Sequence, residues 1–222
     1  MSGETSEKAV RLVMELRGAG VSDARVLGAI ERVPRELFVA PAFVDQAYEN
    51  IALPIAHGQT ISQPLVVALM TAALEPDPRH KVLEVGTGSG YQAAVLARLV
   101  RRVFTIERHR GLFNEAEQRF RTLRLNNVTA RFGDGTKGWP EQAPFDRIIV
   151  TAAAPDVPGS LLESLAPDGI LVAPVGAERR EQALLRVRRR ADRFDIEDLG
   201  PVRFVPLVEG LPRGAGRPPP RH

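Results

Sequence analysis

Lys81-Val82-Leu83-Glu84-Val85-Gly86-Thr87-Gly88-Ser89-Gly90-Tyr91 is the stretch on which the reading of the fold turns. A short apolar run at 81–85 enters a glycine-rich turn, and a helical pattern follows at 92–99. Strand, tight turn and helix in that order open a βαβ unit, whose glycines let the backbone come close to a ligand. The spacing is GxGxG preceded by Glu84. The GxGxxG of nicotinamide binders would need glycine at 91, where Tyr91 stands. Taken alone, the motif is also compatible with a bare tight turn.

Further along the chain, β-branched runs recur at 102–106, 128–131, 147–151 and 170–175, alternating with helical segments. That alternation predicts an α/β domain with a parallel sheet. Two more strand-like runs, 182–190 and 202–208, have no helix between them and are expected to finish the sheet with antiparallel pairing. The strand after the glycine loop ends on Glu107, 17 residues beyond Gly90, where a carboxylate can accept both ribose hydroxyl protons. After the third strand comes Gly133-Asp134-Gly135, whose Asp134 is placed to accept from an exocyclic adenine amine. Together the three points describe a nucleoside. The loop carries no lysine or arginine, so a ligand without a phosphate chain is favoured. The plain readings are a solvated strand terminus for Glu107 and a turn former for Asp134.

Before the glycine loop the texture is different. Residues 6–17 carry Val10, Val13, Met14 and Leu16 at helical spacing and stop at Gly18; Val21-Ser22-Asp23 then opens a second helix that Pro34 ends. Residues 34–63 show no sustained period, and so long a connection points to function. PLVVALMTAAL at 64–74 is helical again, with Ser62 or Gln63 at its mouth, and Pro76-Asp77-Pro78 marks a boundary. The expected organisation is a helical and loop segment at 1–78, an α/β core at 79–212 and a Pro/Arg-rich disordered tail at 213–222.

With 222 residues, 44% of them apolar, the chain can bury a sizeable core. It has no cysteine, which excludes disulfides, Cys-based zinc sites and a cysteine nucleophile. The first residues lack the basic-then-apolar order of a signal peptide, and no apolar run is long enough to span a membrane, so a cytoplasmic location is expected. The pI of 9.8 rests on arginine and overstates a net charge of only +3. The densest basic run, Arg186-Val187-Arg188-Arg189-Arg190, reads as the solvated face of a strand, with a phosphate-binding patch as the alternative.

From about Val33 to Leu207 the chain resembles the protein-L-isoaspartate (D-aspartate) O-methyltransferase family. The resemblance is carried by Val33-Pro34-Arg35-Glu36-Leu37-Phe38, Gly58-Gln59-Thr60-Ile61-Ser62-Gln63-Pro64, VLEVGTGSGYQAAVLARLV, and Gly133-Asp134-Gly135 with Gly138-Trp139-Pro140. Phe145-Asp146-Arg147-Ile148-Ile149-Val150-Thr151-Ala152-Ala153-Ala154-Pro155 completes it. The resemblance implies a Rossmann-like, doubly wound seven-stranded sheet of the class I methyltransferase kind, with an N-terminal helical extension. It implies S-adenosyl-L-methionine as cofactor, held by Glu84, Gly86, Thr87, Gly88, Ser89, Gly90, Tyr91, Glu107, Asp134, Gly135 and Thr151. The implied reaction methylates the free α-carboxylate of L-isoaspartyl, and by extension D-aspartyl, residues of damaged proteins and peptides; the ester then closes to a succinimide. Ser62 is the residue implied as catalytic, with Gln59, Thr60, Ile61, Ser62, Ala152 and Ala153 holding the substrate. No metal, nucleic acid or membrane partner is expected, and a monomer is the default.

The chemistry agrees with that implication. A carboxylate acceptor is already ionised at pH 7, so attack on a sulfonium methyl needs no general base, only positioning and a site poor in water. Ser62 can present its hydroxyl and neighbouring N–H groups to the carboxylate, or simply cap the following helix. His57 is read as a bystander, and Trp139 and Phe145 as packing. Two positions depart from the family's pattern: Ala56 where glycine is usual, and Pro167-Asp168-Gly169 where Pro-Gly-Gly is usual. Three rival readings fit the residues less well. A nucleic-acid N-methyltransferase would carry (D/N)PP(Y/F) where Thr151-Ala152-Ala153-Ala154-Pro155 stands. A binding module without catalysis would show substitutions in GQTIS, and a nicotinamide oxidoreductase would need a different glycine spacing.

Overall fold

A computed structural model of the chain describes residues 3–177 and 182–212; the Pro/Arg-rich tail expected to be disordered lies outside them. The chain begins with two helices, α1 (Gly3–Gly18) and α2 (Ala24–Arg32). Asp23 caps α2 as expected, its carboxylate accepting from the backbone N–H groups of Arg25 and Val26. The aperiodic stretch that follows forms 3-10 turns at Arg35–Phe38, Pro41–Gln46 and Ala56–Gly58, and a two-residue antiparallel pair, β1 (Leu53–Pro54) with β2 (Thr60–Ile61). Helix α3 (Pro64–Ala73) leads to the sheet.

The core alternates β3 (Lys81–Val85), α4 (Tyr91–Ala97), β4 (Arg102–Glu107), α5 (Arg110–Thr122), β5 (Val128–Phe132), β6 (Phe145–Val150), α6 (Gly159–Glu163) and β7 (Leu165–Val175), then β8 (Gln182–Arg189) and β9 (Phe194–Val202). These form one seven-stranded sheet in the order β5-β4-β3-β6-β7-β8-β9. The pairs from β5 to β7 are parallel and the two pairs involving β8 are antiparallel. Strand order reverses between β3 and β6, which makes the carboxyl ends of these strands the topological switch point where such sheets bind ligands.

Period-two alternation sorts the core into two layers. Val82, Val103 and Ile149 face the layer built from α1 to α5, whereas Leu83, Phe104 and Ile148 face the layer under α6. The N-terminal helices share the first layer with α4 and the sheet, so the helical extension and the sheet are packed as one body. Phe145 is fully buried in the second layer, and Trp139 packs edge-on against Phe104.

One expected strand is misplaced. Residues 202–208 are not the last strand; that strand is β9, and the apolar run beyond it passes over the carboxyl ends of the sheet. Strand β9 was missed because it is an exposed edge with acidic residues at alternate positions, and its register is set by cross-strand charge pairs, Arg186 opposite Glu197 and Arg188 opposite Asp195. The basic run at 186–190 is largely paired: Arg186 with Glu197 and Glu75, Arg188 with Glu75 and Arg190 with Asp195, while Arg189 donates to the Leu165 carbonyl and Val187 is buried. Among the described residues no helix is long and apolar enough to cross a membrane, and no group of three or more His, Asp or Glu could hold a metal.

Candidate active site

The glycine loop leaves β3 as a compact turn: the N–H groups of Gly86 and Thr87 both donate to the carbonyl of Ile106, and Gly90 N–H donates to Thr87 O at 2.8 Å. Gly86 has φ +98, and a Cβ there would stand 2.4 Å from Thr151 Oγ1, so no other residue fits. Thr151 needs that proximity, because its hydroxyl donates to the carbonyls of Val85 and Gly86 and ties the loop to the end of β6. Gly88 also has positive φ (+54), but a Cβ there would meet only Ile55 at 3.8 Å; the loop at this point is an open cradle. Arg119 on α5 clamps the loop from behind through the carbonyl of Ser89.

Glu107 ends β4 beside the cradle. One carboxylate oxygen accepts from Gly88 N–H and the other from His109 N–H, both at 2.8 Å. Each oxygen keeps a lone pair for a further donor. His109 stacks on His57 with ring centroids 4.9 Å apart, and burial lowers its pKa below the ordinary histidine value, against the pull of Glu107. His57 carries the positive φ of its turn (+59). Ala56 does not, which is why alanine is accommodated there.

The loop, Glu107 and the Thr60-Ile61-Ser62 segment wall one cavity of about 930 Å³ including its open mouth. Gln59, Tyr91, Gly135, Thr151 and Ala152 complete the expected lining. Four expected residues lie outside the wall. Glu84 is fully buried beneath the loop and accepts from Thr105, whose hydroxyl also meets that of Thr87. Burial, reinforced by nearby Glu107, pushes its pKa up to about 8. Gly90 packs on Phe120, and Ala153 spends its N–H and C=O on Val205 and Leu207. Asp134 caps its own turn through Thr136 and holds Gly210 N–H at 2.8 Å.

The sequence reading missed Arg108, His109 and the segment 205–208, all of which join the wall. Arg108 and Asp134 strap the C-terminal segment down by binding the C=O and N–H of Gly210. Its apolar pattern, read as a strand, was the one available signal. Ser62 does not cap α3. The first-turn N–H of Leu65 is satisfied by Asn50 Oδ1 at 2.9 Å, the side chain of Gln63 donates to Asn50 O, and Ser62 O accepts from Arg35 at 2.8 Å. The Ser62 hydroxyl makes no hydrogen bond among the described residues.

The model of the Protein-L-isoaspartate(D-aspartate) O-methyltransferase family matches residues 7–211. The chain belongs to this family. It is 62% identical over 206 residues to the Protein-L-isoaspartate O-methyltransferase of Paramagnetospirillum magneticum, covering 92% of this chain and 96% of that one. Among solved structures, a protein-L-isoaspartate O-methyltransferase superposes with a TM-score of 0.83 at 29% identity, over 91% of this chain and 66% of that one. A Plasmodium falciparum protein in complex with S-adenosyl-L-homocysteine shares the fold, with a TM-score of 0.77 at 24% identity over 90% and 98% of the two chains. Against the family's usual Pro-Gly-Gly, Asp168 takes a left-handed conformation (φ +57) that glycine would adopt without cost.

Proposed function

We propose that this chain transfers the methyl group of S-adenosyl-L-methionine to the free α-carboxylate of L-isoaspartyl residues in proteins and peptides. The observation that carries the reading, beside family membership, is the single cavity in which the glycine cradle with Glu107 and the Thr60-Ile61-Ser62 segment form walls of the same space. The donor's fit rests on three features: the open cradle at Gly88, the two remaining lone pairs of Glu107 for a ribose diol, and the absence of a phosphate-binding cation in the loop. Gly135, whose Cβ would stand 2.5 Å from Val85, lines the cavity, and Asp134 keeps that turn and the C-terminal strap in place.

When bound, S-adenosyl-L-methionine supplies a sulfonium methyl carbon as electrophile. The residues of the chain then have to hold the acceptor carboxylate in line with it and keep water out. Ser62, with its carbonyl fixed by Arg35 and its hydroxyl uncommitted, is placed to donate to that carboxylate, and Thr60 and Ile61 flank it. Ala152 and the apolar segment 205–208 line the same cavity. No side chain has to take a proton, because the acceptor arrives ionised.

The test is incubation with methyl-labelled S-adenosyl-L-methionine and a matched pair of peptides, one isoaspartyl and one aspartyl, with base-labile label counted. Label on the isoaspartyl peptide alone, strongly reduced in Ser62→Ala and Glu107→Ala, is the expected result. Cofactor binding with neither peptide labelled would sink the acceptor assignment and leave the cofactor site standing.

A further inference from the structure

Behind the acceptor wall lies a cation whose charge the reaction as described does not use. Arg35, on the 3-10 turn Arg35–Phe38, is 0% exposed. Its Nη2 donates to the Ser62 carbonyl at 2.8 Å, and its guanidinium carbon lies 4.6 Å from the centroid of the Tyr91 ring. Its Nε and Nη1 have no hydrogen-bond partner, and no carboxylate among the described residues pairs with it. The adjacent Glu36 is committed to the hydroxyl of Tyr48. Ser62, which accepts from Arg35, and Tyr91, whose ring faces it, both wall the cavity.

A guanidinium stays protonated, and a buried cation without an anion is costly, so such a group persists only where something compensates it. The Tyr91 face offsets part of that cost. The cavity walled by Ser62 and Tyr91 is open to an incoming anion that supplies the rest.

We propose that Arg35 is a positioning residue for the methyl acceptor: from behind the wall it fixes the Ser62 carbonyl and supplies the positive charge that an incoming carboxylate neutralises. The inference rests on the isoaspartyl reading of the site. It carries a kinetic consequence, because the acceptor loses its charge as the ester forms. The attraction is therefore strongest in the ground state and vanishes for the product, which lowers KM and favours release without raising kcat.

The experiment compares an isoaspartyl peptide with its α-carboxamide counterpart, equal in shape and lacking the charge. Both are titrated into protein saturated with S-adenosyl-L-homocysteine. The unmodified chain is expected to prefer the carboxylate by about tenfold. Arg35→Gln, which keeps a donor for Ser62 but no charge, is expected to erase most of that preference, and Arg35→Lys to retain it; affinity for S-adenosyl-L-homocysteine stays within about threefold in both. If Arg35→Gln does not fold, Arg35→Met provides the uncharged arm. A carboxylate preference unchanged in the uncharged variant, or both peptides weakened equally, would overturn the proposal while leaving the acceptor assignment intact. Failure of the unmodified chain to methylate the isoaspartyl peptide would instead overturn the assignment itself.

Discussion

The glycine loop at 86–90 and the acceptor segment at 60–62 face the same cavity, yet they hold their shapes by different means. The glycine loop is shaped by its own residues: positive φ at Gly86, Gly88 and Gly90, and hydrogen bonds to the adjacent strand ends. The acceptor segment has no such local device. The positive φ angles nearest it belong to His57 and Gly58, outside it, and its position comes from Arg35, Asn50 and a two-residue strand pair. A loop encoded by backbone conformation should resist distant substitutions and fail on near ones. A loop encoded by partners should show the reverse.

The severest way to break the first half of that comparison is Gly86→Ala. The new Cβ meets Thr151 Oγ1 in a conformation alanine does not favour, at an expected cost of roughly 2–5 kcal/mol. Loss of S-adenosyl-L-homocysteine binding in a calorimetric titration, together with a lowered melting temperature, checks it.

Glu84 sharpens the comparison from beneath the loop. Its folded-state pKa, raised to about 8, lies above the ordinary glutamate value, so between the two the folded protein binds more protons than the unfolded chain. Its contribution is therefore fully present below the unfolded value and is lost as pH rises towards 8, at no more than about 1.4 kcal/mol per pH unit. Glu84→Gln has no proton to lose. The melting temperature of the variant is expected to gain on that of the parent from pH 5 to pH 8, and a gap independent of pH would refute a buried protonated carboxyl.

Asn50→Ala addresses the acceptor side. Removing the acceptor for Leu65 N–H is expected to cost about 1 kcal/mol of stability. It should raise KM for the peptide several-fold while leaving cofactor affinity unchanged; an equal loss of both would mean that the two loops are not independent. The smallest effect is expected outside both loops. Asp168→Gly relieves a left-handed aspartate and should stabilise the fold by about 0.5–1 kcal/mol, since the exposed Arg190 pair that it removes contributes little. Denaturant midpoints decide it.

The same contrast explains which parts of the molecule were legible in the sequence. The parallel strands were read within a few residues because each carries an apolar run with β-branched residues, and the Asp23 cap because its bonds span two or three residues. Strand β9 was not read, because a solvated edge with alternating acids lacks the apolar signal that marks a strand. The run at 202–208 was misassigned because burial over a ligand cavity and burial within a sheet leave the same apolar pattern. Ser62 was placed correctly at the mouth of α3, yet whether it caps the helix could not be read, since the group that does so is Asn50, 15 residues away.

By itself the sequence determined the order of strand, glycine turn and helix and the carboxylate at the end of β4, because these depend on periodicity, on φ and on spacing along the chain. Only the tertiary structure decided that Glu84, Asp134 and Ala153 stand outside the cavity and that the C-terminal segment closes one wall of it. It alone also placed a buried arginine behind Ser62, 27 residues away. The physical reason is the same in each case: hydrogen bonds and charges act across space, and their partners leave no periodic trace in the chain that carries them.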